Sequence, residues 1–204
     1  MKNTTKQRLV GKDFVNIGIY SVLIFVVAMV ASMLFAPFIA VMYPFIAAVC
    51  ALFTAPIFML MTYKVAKRGT VMLCAIIFSL FYVVMGYVYM LPFGIVTGLL
   101  CEAVLWKRGA YRNFSYNVAG FSVFSILGYV VCSVLPIYIF GTEYYLEMQS
   151  GINPAAAVYI QYALSPLWMA VAVITTFVMA FIGCLIGQRM MRKHFMKAGL
   201  ISKQ

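Results

Sequence analysis

Residues 14–35 read FVNIGIYSVLIFVVAMVASMLF, an apolar run without a single charged side chain. Coiled as a helix rising ~1.5 Å per residue, such a run covers the roughly 30 Å hydrocarbon layer of a bilayer. A basic stretch carrying Lys2, Lys6, Arg8 and Lys12 precedes it. Outward from this segment the pattern repeats. Further apolar runs cover 43–63, 70–90, 92–106, 114–140 and 166–188. The reading is an all-α membrane protein: a six-transmembrane-helix bundle forming one integral membrane domain over residues 1–204.

Composition agrees. Apolar residues make up 66% of the chain and charged residues 9%, against roughly 45–50% and about 25% in soluble domains. A soluble fold of this size leaves about 30% of its unfolded surface in water, too much for so apolar a chain. A soluble enzyme and a nucleic-acid binder are excluded on this ground. The net charge of +11 is then a topology signal and a source of headgroup contacts. No short apolar core with a small-residue cleavage site is seen, so no cleavable signal peptide is expected.

The basic residues sort by position. Lys64, Lys67 and Arg68 lie between the second and third runs, and Lys107, Arg108 and Arg112 between the fourth and fifth. Arg189, Arg192, Lys193, Lys197 and Lys203 follow the sixth. With six spans all of them fall on one side, which the positive-inside rule makes the cytoplasm, with both termini inside. The opposite side carries Glu143 and Glu147 in its longest loop. Asn153-Pro154 and Ser165-Pro166 there read as helix starts. Either a short surface helix, a candidate lid, lies between them, or the last span begins early and tilts.

Several chemistries have no residues to carry them. There is no GxxxxGK[ST] loop, so no ATP hydrolysis by this chain is expected. His194 lies in the basic tail. Cys50, Cys74, Cys101, Cys132 and Cys184 fall inside spans without CxxC spacing and read as small buried hydrophobes. No metal site, no cofactor and no enzyme activity are expected.

Polar residues inside the bilayer are the informative ones, because each is costly without a partner. Glu102 shares a helical stripe with Gly94 and Gly98, either as a local ion pair near Lys107 and Arg108 or at a contact with a partner subunit. Ser122, Ser125, Tyr129 and Ser133 recur at spacings of three and four along the fifth span, with Asn117 and Phe121 beside them. Gln161, Ser165, Trp168 and Ala172 form a second stripe, and Thr97 lies in the outer half of the fourth span. Their convergence suggests a small pocket with Thr97, Ser125, Tyr129, Ser133, Gln161, Ser165 and Trp168 as candidate substrate contacts. Glu143 and Tyr144, near Tyr145 and Glu147, stand at its mouth. Small residues at helical spacing (Ala28, Ser32, Ala36; Ala47, Ala51, Ala55; Gly183, Gly187) read as helix-packing faces or partner-docking faces.

Three stretches carry a family resemblance. They are Gly11-Lys12-Asp13-Phe14-Val15-Asn16-Ile17-Gly18-Ile19 after the basic N-terminus, Gly98-Leu99-Leu100-Cys101-Glu102, and Lys107-Arg108-Gly109-Ala110-Tyr111-Arg112-Asn113. With the plan of about 200 residues in six spans, the chain resembles the substrate-binding (S) subunits of energy-coupling factor (ECF) transporters. It is most similar to their MptD-like, or Trep_Strep, group. The resemblance implies a protein of the bacterial cytoplasmic membrane that captures a small vitamin-like nutrient from outside. It further implies docking on a separate ECF coupling subunit driven by two ABC ATPase subunits, with a pocket built by spans four to six and the outer loops. For docking, such subunits use an Ala-xxx-Ala motif on the first span. Here Ala28-xxx-Ser32 is nearest in pattern and Gly18 and Ser21 are nearer the cytoplasm, so Gly18, Ser21, Ala28, Ser32 and Glu102 are the candidates. A stand-alone secondary transporter would show coupling acids at the membrane midplane, which this chain lacks. A membrane assembly protein without cargo is the other alternative.

Overall fold

A computed structural model describes residues 9–107, 109–149 and 156–195. Among them every regular element is helical: α1 (Gly11–Leu34), α2 (Ile39–Met42), α3 (Ile46–Val65), α4 (Thr70–Val84), α5 (Met90–Val104), α6 (Phe114–Tyr129), α7 (Leu135–Phe140), α8 (Thr142–Gln149), α9 (Ala156–Leu164) and α10 (Pro166–Met190). A π-helical turn, Val130–Val134, joins α6 to α7.

Four helical stretches are long and apolar enough to cross a membrane: Gly11–Leu34, Tyr43–Val65, Phe114–Phe140 and Pro166–Lys193. Helices α4 and α5 have 15 residues each, about 22 Å, short of the hydrocarbon thickness. The third apolar run therefore ends earlier than its hydropathy suggests. Gly86 stops α4 with φ +97°. Its amide donates to the Val83 carbonyl at 2.9 Å and the Tyr87 amide to that of Tyr82 at 2.9 Å, a Schellman cap that needs glycine in the left-handed region. Of the two readings of the outer loop, a separate helix is the one found. α9 ends at Leu164, Ser165 is extended (φ −88°, ψ 114°) and α10 starts at Pro166, as a residue before proline requires. The Asn153-Pro154 helix start lies outside the described residues.

The long helices close into a ring in the order α1, α3, α10, α6, α5, α4, back to α1, and α3 also touches α6 across the middle. Glycine sets the closest approaches. A Cβ on Gly183 would sit 2.7 Å from the Leu52 carbonyl oxygen, and one on Gly187 2.9 Å from the Pro56 Cα, so α10 lies flush on α3. A Cβ on Gly94 would overlap the Ser79 hydroxyl, and one on Gly98 would reach 3.0 Å from the Met72 Cα, which seats α5 on α4. Two small-residue faces thus pack within the chain. In lipid this matters because burying apolar surface gives helices no net attraction, and close van der Waals contact must supply it.

One end of the bundle gathers the helix ends that carry the basic residues. Lys67 pairs with Asp13 at 2.5 Å, and Asp13 also accepts the Val10 amide at 2.9 Å, capping α1. Arg68 donates to the Trp106 carbonyl at 2.8 Å and stacks 4.5 Å over its ring. Lys64 lies 5.4 Å from the Tyr20 ring and Lys107 5.8 Å from that of Tyr116. Cation–aromatic contacts of this kind suit a headgroup boundary.

Candidate functional site

The core is filled toward the basic end and hollow toward the other. Between α3 and α6, Phe58 packs 4.9 Å from Phe121 and 6.0 Å from Phe124. Beyond Phe124 the packing opens into a cavity of about 200 Å³ between α1, α3, α4 and α6. Phe25, Phe78 and Phe124 supply aromatic wall. Phe78 and Phe124 stand edge to face at 5.7 Å.

Local sequence shapes this space. The π turn begins directly after Tyr129 and contains Cys132 and Ser133, both on the cavity wall. Pro136 follows it. Proline has no amide hydrogen, and its ring crowds the carbonyl four residues earlier, here Cys132. A widened turn relieves that conflict, and such bulges recur at functional sites. Gly128, one turn before Cys132, has nothing within 4 Å of where a Cβ would stand.

The polar groups on the wall differ in what they already hold. The Ser32 hydroxyl donates to the Ala28 carbonyl at 2.9 Å and meets the Cys50 sulfur at 3.3 Å. Thr54 donates to the Cys50 carbonyl at 2.7 Å. The hydroxyl of Tyr129, a residue 3% exposed, has no hydrogen-bond partner among the described residues. Among the described residues no Asp, Glu, Lys, Arg or His lines the cavity.

The candidate substrate contacts divide accordingly. Ser125, Tyr129 and Ser133 line the cavity. Thr97 lines a separate space of about 40 Å³ behind Phe78 and Gly128. Glu143, Tyr144 and Gln161 are exposed and Ser165 is half-buried. Trp168 packs edge-on against Tyr162 at 5.1 Å, outside the cavity. The cavity lies between α1, α3, α4 and α6, of which α6 belongs to the spans four to six that were expected to build a pocket. Phe25, Cys50, Thr54 and Tyr82 joined the wall without a polar-stripe signal. The one sequence cue was Gly128, a mid-span glycine outside any Gly-xxx-Gly pair.

Above this region α8 and α9 form an aromatic cap. Tyr43 stacks on Tyr159 at 3.9 Å, nearly parallel. Its hydroxyl donates to the Ser133 carbonyl at 3.3 Å, tying the cap to the π turn. Tyr145 belongs to the same cluster, and burial pushes its phenol up to about 12, so it stays neutral at physiological pH.

The candidate docking residues are mostly turned inward. Ser21 is fully buried and donates to the Ile17 carbonyl at 2.8 Å. Ala28 and Ser32 line the cavity. Glu102 is 7% exposed. Its carboxylate accepts the amides of Val71 at 3.0 Å and Met72 at 3.3 Å, and the Tyr111 hydroxyl. The ion pair expected of Glu102 with Lys107 is not found among the described residues. Glu102 caps α4, whose own cap position is Gly69 and has no side chain to offer. Asn117 completes the cluster, donating to the carbonyls of Tyr111 at 2.8 Å and Asn113 at 2.9 Å. Gly18 is half-buried, has nothing within 4 Å of its Cβ position and does not line the cavity.

The sequence profile of the hypothetical bacterial integral membrane proteins called Trep_Strep matches residues 11–197. The chain belongs to the Trep_Strep family. It is accordingly a multi-pass integral membrane protein. No curated protein and no solved structure matches the chain. In this Trep_Strep chain the stretch from Gly98 to Asn113, which carried the resemblance, builds the α4–α5 contact and the cap on α4.

Proposed function

We propose that this protein is the substrate-capturing S subunit of an ECF-type importer in the bacterial cytoplasmic membrane. On this reading six helices cross the bilayer, α4 and α5 with help from their flanking turns. The basic end and both termini face the cytoplasm. A small nutrient enters the cavity from outside. A separate coupling subunit and two ABC ATPases supply delivery and energy, since this chain has no phosphate-binding loop.

The observation that carries the reading is the position of the hollow half. The cavity lies remote from the basic end, behind an aromatic cap, and the hydroxyl of Tyr129, a wall residue, has no partner among the described residues. The bundle is solid where the cations sit and receptive where they do not. That asymmetry suits capture on one side and docking on the other. Among the docking candidates, Gly18 is half-buried with open space at its Cβ position in the half nearer the basic end, which favours it over the buried Ser21 and Glu102.

The test is binding and transport in sequence. The purified protein should bind one small molecule without ATP, identified by mass spectrometry of what copurifies. Uptake in proteoliposomes should require the coupling subunit and its ATPases. Uptake by this chain alone, driven by a proton or sodium gradient, would replace the proposal with a secondary carrier.

A further inference from the structure

The chemistry of the cavity wall specifies its ligand more narrowly than the fold does. Among the described residues, none of the charged side chains lines the cavity. A carboxylate, phosphate or ammonium held there would have no countercharge, and burying an unpaired ion is far costlier than burying a neutral polar group. At about 200 Å³ the space falls below the roughly 300–1,000 Å³ of pockets for drug-sized molecules. Aromatic rings of Phe25, Phe78, Tyr82 and Phe124 form much of its surface, which favours a flat ring.

Two further features point to an occupant. The first is the Tyr129 hydroxyl, buried and without a partner among the described residues, on a side chain that lines the cavity. A buried hydroxyl without a partner is costly, and a ligand's polar atom would remove that cost. The second is Gly128. Gly94, Gly98, Gly183 and Gly187 each meet a neighbouring helix that would clash with a side chain, whereas Gly128 meets nothing. A mid-helix glycine costs about 1 kcal/mol relative to alanine. With no close helix contact to justify it, the remaining effect of glycine here is to keep the cavity open.

We propose that this cavity binds a small uncharged ring compound whose polar atom meets the Tyr129 hydroxyl, and that Gly128 sets the size of molecule admitted. The proposal rests on the transport reading for its physiological meaning, since it names the class of cargo. The binding itself stands without any partner subunit.

The experiment uses the purified full-length protein in detergent, without ATP or partner. Its probes are benzyl alcohol and benzamide, with benzoate and benzylamine as charged counterparts of similar size. Binding is read by thermal shift and by protection of Cys50 and Cys132 from alkylation, since both line the cavity. The neutral probes should raise Tm and slow alkylation, and the charged ones should bind at least tenfold more weakly. Tyr129→Phe should weaken neutral binding about three- to tenfold. Gly128→Leu should abolish it while leaving Tm of the free protein equal or higher, because the new side chain fills open space and improves helix propensity. Benzoate or benzylamine binding as tightly as the neutral pair would overturn the proposal. So would neutral binding unaffected by Gly128→Leu, or no protection by either neutral probe. The outcomes separate from those of the transport test. ATP-dependent uptake of a charged nutrient would sink this inference alone, and neutral binding with gradient-driven uptake would sink the S-subunit reading alone.

Discussion

Glu102 on α5 caps α4 through the Val71 amide, 3.0 Å away, in place of the side chain that Gly69 lacks. A helix N-terminus exposes amides that need acceptors, and its partial positive charge favours a carboxylate. The buried acid is therefore explained by backbone chemistry without a cation. Glu102→Ala should lower unfolding stability by about 2–3 kcal/mol, the scale of hydrogen bonds to a charged group. Glu102→Gln keeps an acceptor and should cost less. Coupling between Glu102→Gln and Tyr111→Phe in a double-mutant cycle should exceed 0.5 kcal/mol, as for residues in one network. Additive effects would mean that the two groups do not interact.

Glycines should split into two classes. Gly183→Val must displace the backbone of α3 at Leu52 and should destabilise by about 1–3 kcal/mol or prevent folding. Gly18→Ala meets open space and should be neutral or stabilising by up to about 1 kcal/mol. Thermal unfolding of the two variants side by side checks the contrast. Equal losses would mean that α10 does not sit on α3 as described.

The aromatic cap should come loose without Tyr43. Tyr43→Ala removes the stack on Tyr159 and the bond to Ser133. Amide hydrogen exchange should then rise across 156–164 while α3 below Cys50 stays protected. Tyr43→Phe keeps the stack and should leave exchange in α9 nearly unchanged. A uniform rise along the whole chain would indicate global destabilisation instead of a local cap.

Sidedness is open to direct chemical labelling in whole cells. On a background without native cysteines, Glu147→Cys should react with a membrane-impermeant maleimide, and Lys67→Cys only after permeabilisation. Labelling of position 67 in intact cells would reverse the orientation and move the cavity to the cytoplasmic side.

Much of the architecture was legible because charge and hydropathy act locally. The run 14–35, the Pro166 start of α10 and the role of Gly94 and Gly98 in close helix approach could be read directly from residue types. The site was legible only in part. Ser125, Tyr129 and Ser133 share one face of one helix, so their spacing announced them. Trp168 and Gln161 had an equally regular spacing, yet a break at Ser165 puts them on two helices, and neither lines the cavity. Ser32 was read as a docking residue, although it lines the cavity beside Cys50.

In a soluble helix, the buried side is marked by contrast with a polar side. Here α1 exposes Val15, Ile19, Val22 and Val26 and buries Ile17 and Ile24, and the two sets are chemically alike. The sequence by itself determined that the chain lives in lipid, where its apolar helices fall and which ends carry the cations, since ionic and apolar solvation are properties of each residue alone. Only the tertiary structure decided the order of the helices around the ring, the flush seat of α10 on α3 and the hollow left beside Gly128. Those depend on which of several equally apolar faces fit one another, and lipid tails give hydropathy no means of telling them apart.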